Sequence, residues 1–160
     1  MGTLEGLLAE HPFFSDLDPR YIQLVAACAS EVHYNEGDVL FRQDEKANNF
    51  YLICEGKIAL QIFAPGRGSL TVQTLEDGEI LGYSWLIPPH YYRFDGRAVK
   101  ATHAIVLDGT RLRPICEEDY KLGYQLVSRI ASILGRSFDA TRHRLLDVYS
   151  RLLDVYGSGT

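Results

Sequence analysis

Nowhere does the 160-residue chain hold the ~18 consecutive apolar residues that a membrane-spanning helix needs, so no span is expected. A basic surplus is missing as well. Sixteen Lys and Arg against 21 Asp and Glu leave a net charge of −5. Proteins that grip duplex DNA through its phosphates carry the opposite balance, so nucleic acid is not an expected partner. Cysteine is scarce and scattered. Cys28, Cys54 and Cys116 are odd in number, lie far apart among apolar neighbours and form no CxxC pair, which reads as buried free thiols in a reducing compartment. The five histidines form no pair at ligand spacing, so no metal is expected. The segment Met1–His11 has Leu4, Leu7 and Leu8 but also Glu5 and Glu10, without the basic start of a secretory signal. A cytoplasmic protein is expected. There is no Ser-His-Asp order and no Gly-rich P-loop, so a binding protein is expected rather than an enzyme.

What is present is an ordinary globular balance, 46% hydrophobic and 23% charged, enough for one domain with its own core. Three zones divide the chain, taken here as a single domain over 1–160. Residues 1–30 read as N-terminal helices. Leu4, Leu7 and Leu8 recur at helical spacing until His11-Pro12 interrupts them. Asp18 then suits an N-cap and Pro19 the first helical position of a second helix, with Tyr21, Leu24, Val25 and Cys28 on one face. Residues 31–109 read as strands. Short runs such as Phe50-Tyr51-Leu52-Ile53-Cys54, the alternation at Ile58, Leu60 and Ile62, and a pair of strands within Val99–Leu107 are separated by glycine turns. Many short strands with frequent turns indicate an all-β core, a sandwich or barrel. Residues 111–156 read as C-terminal helices. Leu126, Ile130, Ile133, Leu134, Phe138, Thr141, Leu145, Val148, Tyr149, Leu152 and Tyr156 advance by three or four. Leu-Leu-Asp-Val-Tyr occurs twice, at 145–149 and 152–156, seven residues apart, so equivalent side chains share a coiled-coil position. Such a stripe suits a homodimer through the C-terminal helix; the alternative is a tail packed on its own barrel. The last residues, 157–160, read as a flexible end.

The order of the zones resembles the cyclic-nucleotide-binding domain of the catabolite-activator and fumarate-nitrate-regulator family. Pro12-Phe13-Phe14 with Leu17 is similar to its opening Pro-x-Phe-x-x-Leu. Tyr34-x-x-Gly37-Asp38-Val39-Leu40-Phe41-x-Gln43-Asp44 is similar to its first glycine turn and following strand, and Phe50-Tyr51-Leu52-Ile53-x-x-Gly56-Lys57-Ile58 to its central hairpin. Gly78-x-x-Leu81-Gly82 resembles the entry to its phosphate-binding cassette. The resemblance covers about residues 11–150. It implies an all-β core with flanking helices, a β-barrel of the double-stranded β-helix or jelly-roll kind.

In nucleotide-binding members of that family, the cassette glycine lets backbone N–H groups approach the phosphate. A following glutamate accepts from the ribose hydroxyl, and an arginine about eleven residues on pairs with the phosphate. Here Gly82 stands at the glycine and Arg93 lies eleven residues later. Tyr83 replaces the glutamate, and Phe94-Asp95 replaces two small residues. Arg97-Ala98 resembles the next strand, and the chain is about one residue short before it, so either Arg93 or Arg97 faces the pocket. A lost charge-assisted hydrogen bond weakens binding by ~1.5–3 kcal/mol, about one to two powers of ten in affinity. Asp95 beside a phosphate would add repulsion.

The segment from Tyr83 to Phe94 holds five of the chain's eighteen aromatic residues. Its rings suit stacking on a nucleobase or nicotinamide, with Ser84 inside the same turn and Arg93 and Arg97 as phosphate partners. In the alternative reading the rings close the barrel end and the arginines pair with Asp95, Glu117 or Glu118. By placement in the family, Ser137 would reach the base from the long helix. The resemblance therefore implies a regulatory or accessory binding protein for a cyclic nucleotide, another nucleotide or a nicotinamide dinucleotide. A dimeric interaction module with an empty pocket is the other reading. The segment from Gly82 through Pro88-Pro89 to Asp95 also resembles small proteins of this fold that accompany NAD-linked nickel–iron hydrogenases, which implies a redox enzyme as a partner. Family transcription factors continue past the long helix into a helix-turn-helix; this chain stops at Thr160, so direct DNA binding is not expected.

Overall fold

The computed structural model describes residues 3–156; the end at 157–160 lies outside them. The chain divides after Tyr124 into two compact units. In the first, α1 (Leu4–Glu10) is capped by Thr3, whose hydroxyl accepts from the Gly6 N–H at 3.0 Å. A single 3-10 turn at Pro12–Phe14 follows the break at His11. In α2 (Pro19–Ala26) the Asp18 carboxylate accepts from the Arg20 N–H at 2.9 Å, and Pro19 occupies the first turn, where its missing N–H costs nothing.

Eight strands follow: β1 (Ala29–Tyr34), β2 (Val39–Phe41), β3 (Asn49–Glu55), β4 (Lys57–Ala64), β5 (Gly68–Glu76), β6 (Ile80–Leu81), β7 (Asp95–Ala98) and β8 (Thr102–Asp108). They form two antiparallel four-stranded sheets, ordered β1-β8-β3-β6 and β2-β7-β4-β5, a jelly-roll-like core. Val99–Leu107 supplies one strand rather than two. Ala98 closes β7, the Val99 N–H donates to the Lys57 carbonyl, and the chain turns before Thr102.

The run Phe50–Ile53 is apolar at every position because β3 is buried on both faces. Tyr51 and Ile53 enter the barrel interior with Phe41, Ile58, Leu60, Leu75, Leu81, Tyr92 and Ala98. Phe50 points the other way, 5.3 Å from the Phe13 ring and 5.6 Å from Trp85. At the turn from β3 to β4, where the chain passes from one sheet to the other, Gly56 has φ +143°, and a Cβ there would lie 2.3 Å from Thr102 Oγ1, so no other residue fits.

α3 (Gly109–Glu118) is capped by Asp108. α4 (Tyr120–Tyr156) is one helix of 37 residues, and from Phe138 to Tyr156 every side chain along it is exposed. No helix of the described residues is long and apolar enough to cross a membrane. All three cysteines are free; Cys28 and Cys116 are buried and Cys54 is half-buried.

Candidate functional site

β6 delivers the chain to Gly82, whose φ of +81° lies in the left-handed region and which starts a single 3-10 turn, Tyr83–Trp85. Its missing side chain has two local reasons. An L-residue is strained there, and a Cβ would lie 3.1 Å from the Asn49 carbonyl oxygen and 3.2 Å from Tyr51 Cδ1. No side chain caps the turn. Trp85 anchors it. The side chain is fully buried, and the Trp85 carbonyl accepts from Arg113 Nε at 2.8 Å and from a second nitrogen of the same guanidinium. Arg113, on α3, also donates to the Ala47 carbonyl at 3.5 Å and so ties the turn to the loop before β3.

After the turn the chain runs back along residues 44–47. The Ala47 N–H donates to the His90 carbonyl, the Tyr92 N–H to Glu45, and the Asp44 N–H to Tyr92. This pairing drives Tyr92 inward, where it is 5% exposed. Its ring stacks on Phe41 at 4.0 Å. Its hydroxyl donates to the Asn49 carbonyl at 2.8 Å and accepts from the Asn49 N–H at 3.1 Å. The Tyr51 hydroxyl donates to the Leu40 carbonyl at 3.4 Å. Burial pushes both phenols well above their ordinary range, so both stay neutral and serve as hydrogen-bonding core residues. Phe41, Tyr51 and Tyr92 thus fill the interior beside Gly82.

The outer rim is different. Tyr83 is half-buried and Arg93 exposed. Burial pushes the Tyr83 phenol up, and the Arg93 charge partly offsets it. Among the described residues Arg93 pairs with no carboxylate. Asp95 is engaged elsewhere, accepting from the Gln43 N–H at 2.7 Å. Glu79 closes its own turn, its carboxylate accepting from the Glu76 N–H at 2.6 Å.

A sequence model of the cyclic nucleotide-binding domain matches residues 31–119, which contain this whole arrangement. The chain belongs to the cyclic nucleotide-binding domain family. It is 31% identical to a putative cyclic nucleotide-binding protein from Geobacter metallireducens GS-15, a solved structure with TM-score 0.74, over 85% of this chain and 98% of that one. It is 36% identical over 83 residues to the cAMP-dependent protein kinase regulatory subunit of Schizosaccharomyces pombe, and 23% identical over 134 residues to a putative potassium channel protein of Rhodopseudomonas palustris. These matches cover 52% and 84% of this chain but only 19% and 32% of those relatives. One of these relatives is a regulatory subunit.

Of the residues expected at the site, Gly82, Tyr83 and Ser84 share the 3-10 turn, and Arg93 lies exposed on the chain that returns past residues 44–47. Ser84 is buried in the turn, and its carbonyl faces His90 Nδ1 at 3.2 Å. Phe94 packs, half-buried, against the interior cluster. Arg97 is set apart. On β7 the buried Gly96 and Ala98 alternate with it, and its guanidinium donates to the Gly37 carbonyl at 3.4 Å on the opposite face. Ser137 belongs to the second unit, where its carbonyl accepts from the Thr141 hydroxyl at 2.9 Å. Sequence reading did not single out Tyr92 or Arg113. Tyr92 stood among five aromatic residues with nothing to separate inward from outward rings, and Arg113 lies in a helix with no motif. Among the described residues no group of His, Cys, Asp and Glu is arranged to hold a metal ion.

Proposed function

We propose that the chain is a non-enzymatic regulatory module that binds a phosphate-bearing ligand at the rim of the Gly82 turn, and that it does not hold a cyclic nucleotide in the family's usual way. The observation that carries this reading is the contrast between neighbours: Tyr92 is buried and fully hydrogen-bonded, while Arg93 is exposed and, among the described residues, without a carboxylate partner. A guanidinium left without a carboxylate fits a phosphate, and the aromatic residues between Tyr83 and Phe94 suit a flat base. The interior beside Gly82 is filled by three rings, and Tyr83 offers no carboxylate to a ribose hydroxyl. A nucleotide or nicotinamide dinucleotide, held from outside, fits these groups better than cyclic AMP enclosed within the barrel.

Calorimetric titration tests this with cyclic AMP, cyclic GMP, NADH and NADPH on the full chain and on Arg93→Ala. The expected result is measurable binding of a dinucleotide, weakened at least tenfold by Arg93→Ala, with cyclic nucleotides weaker. Absence of heat with every compound, or tight cyclic AMP binding that survives Arg93→Ala, defeats the reading.

We also propose a homodimer through α4. Phe138, Leu145, Val148, Leu152 and Val155 fall on the first and fourth positions of consecutive heptads or on the seam they define, and all five are 48–69% exposed. The seam is exposed among the described residues, and burying it against its counterpart would remove it from water.

A further inference from the structure

The exposed tail of α4 is apolar over more of its circumference than a two-stranded coil uses. With Leu145 at heptad position a, Leu145 and Leu152 take a, Val148 and Val155 take d, Tyr149 and Tyr156 take e, and Leu146 and Leu153 take b. All eight are exposed, between 48% and 78%. At 100° per residue, these positions sweep a continuous arc of roughly 160°. A strict coiled-coil seam needs only a and d, and wider apolar faces belong to helices that touch two neighbours in a bundle.

The remaining arc is polar and self-compensating. Arg144, Asp147, Arg151 and Asp154 alternate in sign along it, and Asp147 stands four residues before Arg151, the favourable order for a pair within one helix. It needs no partner charge and suits the solvent side. The second seam is also bounded. One heptad earlier, positions b and e are Asp139 and Arg142, which form an ion pair at 3.7 Å. The a–d seam thus begins at Phe138, whereas the b–e seam is confined to Leu146–Tyr156.

Area favours two seams over one. At the observed exposures, the a–d set from Phe138 to Val155 offers roughly 500 Å² per helix, scaled from side chains of this size. A stable interface uses about 800 Å² per partner. The b–e set offers a similar further amount against its own neighbour, so covering both seams about doubles the apolar area that each helix removes from water. Pairing through a and d alone would leave Leu146, Tyr149, Leu153 and Tyr156 of both helices as an apolar patch on the outside of the dimer.

We propose that this second seam binds a second pair of copies of the same segment, so that the tails of two dimers close into a four-helix bundle over residues 146–156. The proposal rests on the α4 dimer above. Because the repeat is the chain's own, each helix presents the same two seams, and four copies cover them all in a closed arrangement.

Sedimentation equilibrium of the full chain over a hundredfold concentration range tests it, with two double variants. Lysine is a good helix former and these positions are solvent-facing, so both variants keep the helix, which circular dichroism checks. The wild-type protein is expected to reach the mass of four chains. Leu146→Lys with Tyr149→Lys is expected to stop at two, and Leu145→Lys with Leu152→Lys at one. A wild-type protein that stays at two chains overturns the second seam and leaves the dimer standing. One that stays at one chain overturns both. A tetramer that survives Leu146→Lys with Tyr149→Lys shows that another surface makes it and also overturns the proposal.

Discussion

Replacing Tyr92 tests the filled interior, because the residue carries both packing and hydrogen bonding. In Tyr92→Phe the ring still stacks on Phe41, but the Asn49 N–H and carbonyl lose the hydroxyl that satisfies both. Stranding buried polar groups costs about 1–3 kcal/mol. In Tyr92→Ala the ring goes too, beside Phe41 and Gly82, where neighbours are fixed by the sheets and collapse only in part. Deleting a buried aromatic side chain costs about 3–5 kcal/mol. Against a domain stability of about 5–15 kcal/mol, the alanine variant should be marginal and the phenylalanine variant clearly folded. Urea unfolding followed by tryptophan fluorescence reads this directly, since Trp85 is the single tryptophan, is fully buried and sits in the adjoining turn. Stabilities of both variants within about 0.5 kcal/mol of wild type, as surface substitutions give, would show that Tyr92 does not fill the interior.

Gly82→Ala should destabilise by about 2 kcal/mol, since it combines left-handed strain with a Cβ 3.1 Å from the Asn49 carbonyl oxygen; a thermal midpoint equal to wild type would contradict that. His11 predicts a pH dependence. It is buried, its Nε2–H donates to the Ile53 carbonyl at 3.0 Å, and its Nδ1 accepts from the Phe13 N–H at 3.1 Å, an arrangement only the neutral ring can make. Burial holds its pKa below the ordinary 6.5, so the unfolded chain takes up the proton first. The stability gained from neutral His11 is full above 6.5 and falls as the pH drops from there towards the folded-state pKa. The stability difference between wild type and His11→Gln should therefore shrink between about pH 7.5 and about pH 5, as urea midpoints at each pH would show, and a constant difference would refute it.

Much of the fold was legible because local chemistry and tertiary role agree. Asp18-Pro19 starts a helix, glycines separate the strands, and the period changes from two to three or four residues near residue 109. The cassette was legible only as a segment. Gly82 and Arg93 could be placed by spacing, but the direction of each side chain depends on the pairing of residues 44–47 with 90–92, which no local pattern encodes. That pairing sends Tyr92 inward and leaves Arg93 at the rim. Likewise β7 alternation puts Arg97 on the far face, although its spacing alone left it an equal candidate. The width of the α4 stripe was also underread. Leu146, Leu153 and Val155 lie outside the stripe read from the sequence, although Leu153 stands four residues after Tyr149 and Val155 three after Leu152, and their exposure shows that the apolar face extends to them.

A phosphate-bearing ligand is expected to meet the rim of the Gly82 turn while the barrel interior stays closed. Amide chemical-shift mapping by NMR, with NADH and cyclic AMP as separate probes, tests it most directly. NADH should shift the amides of Tyr83, Ser84 and Arg93 and leave those of Ile58, Leu60 and Ala98 unmoved. Shifts centred on Ile58, Leu60 and Ala98, with Tyr92 displaced from Phe41, would contradict it.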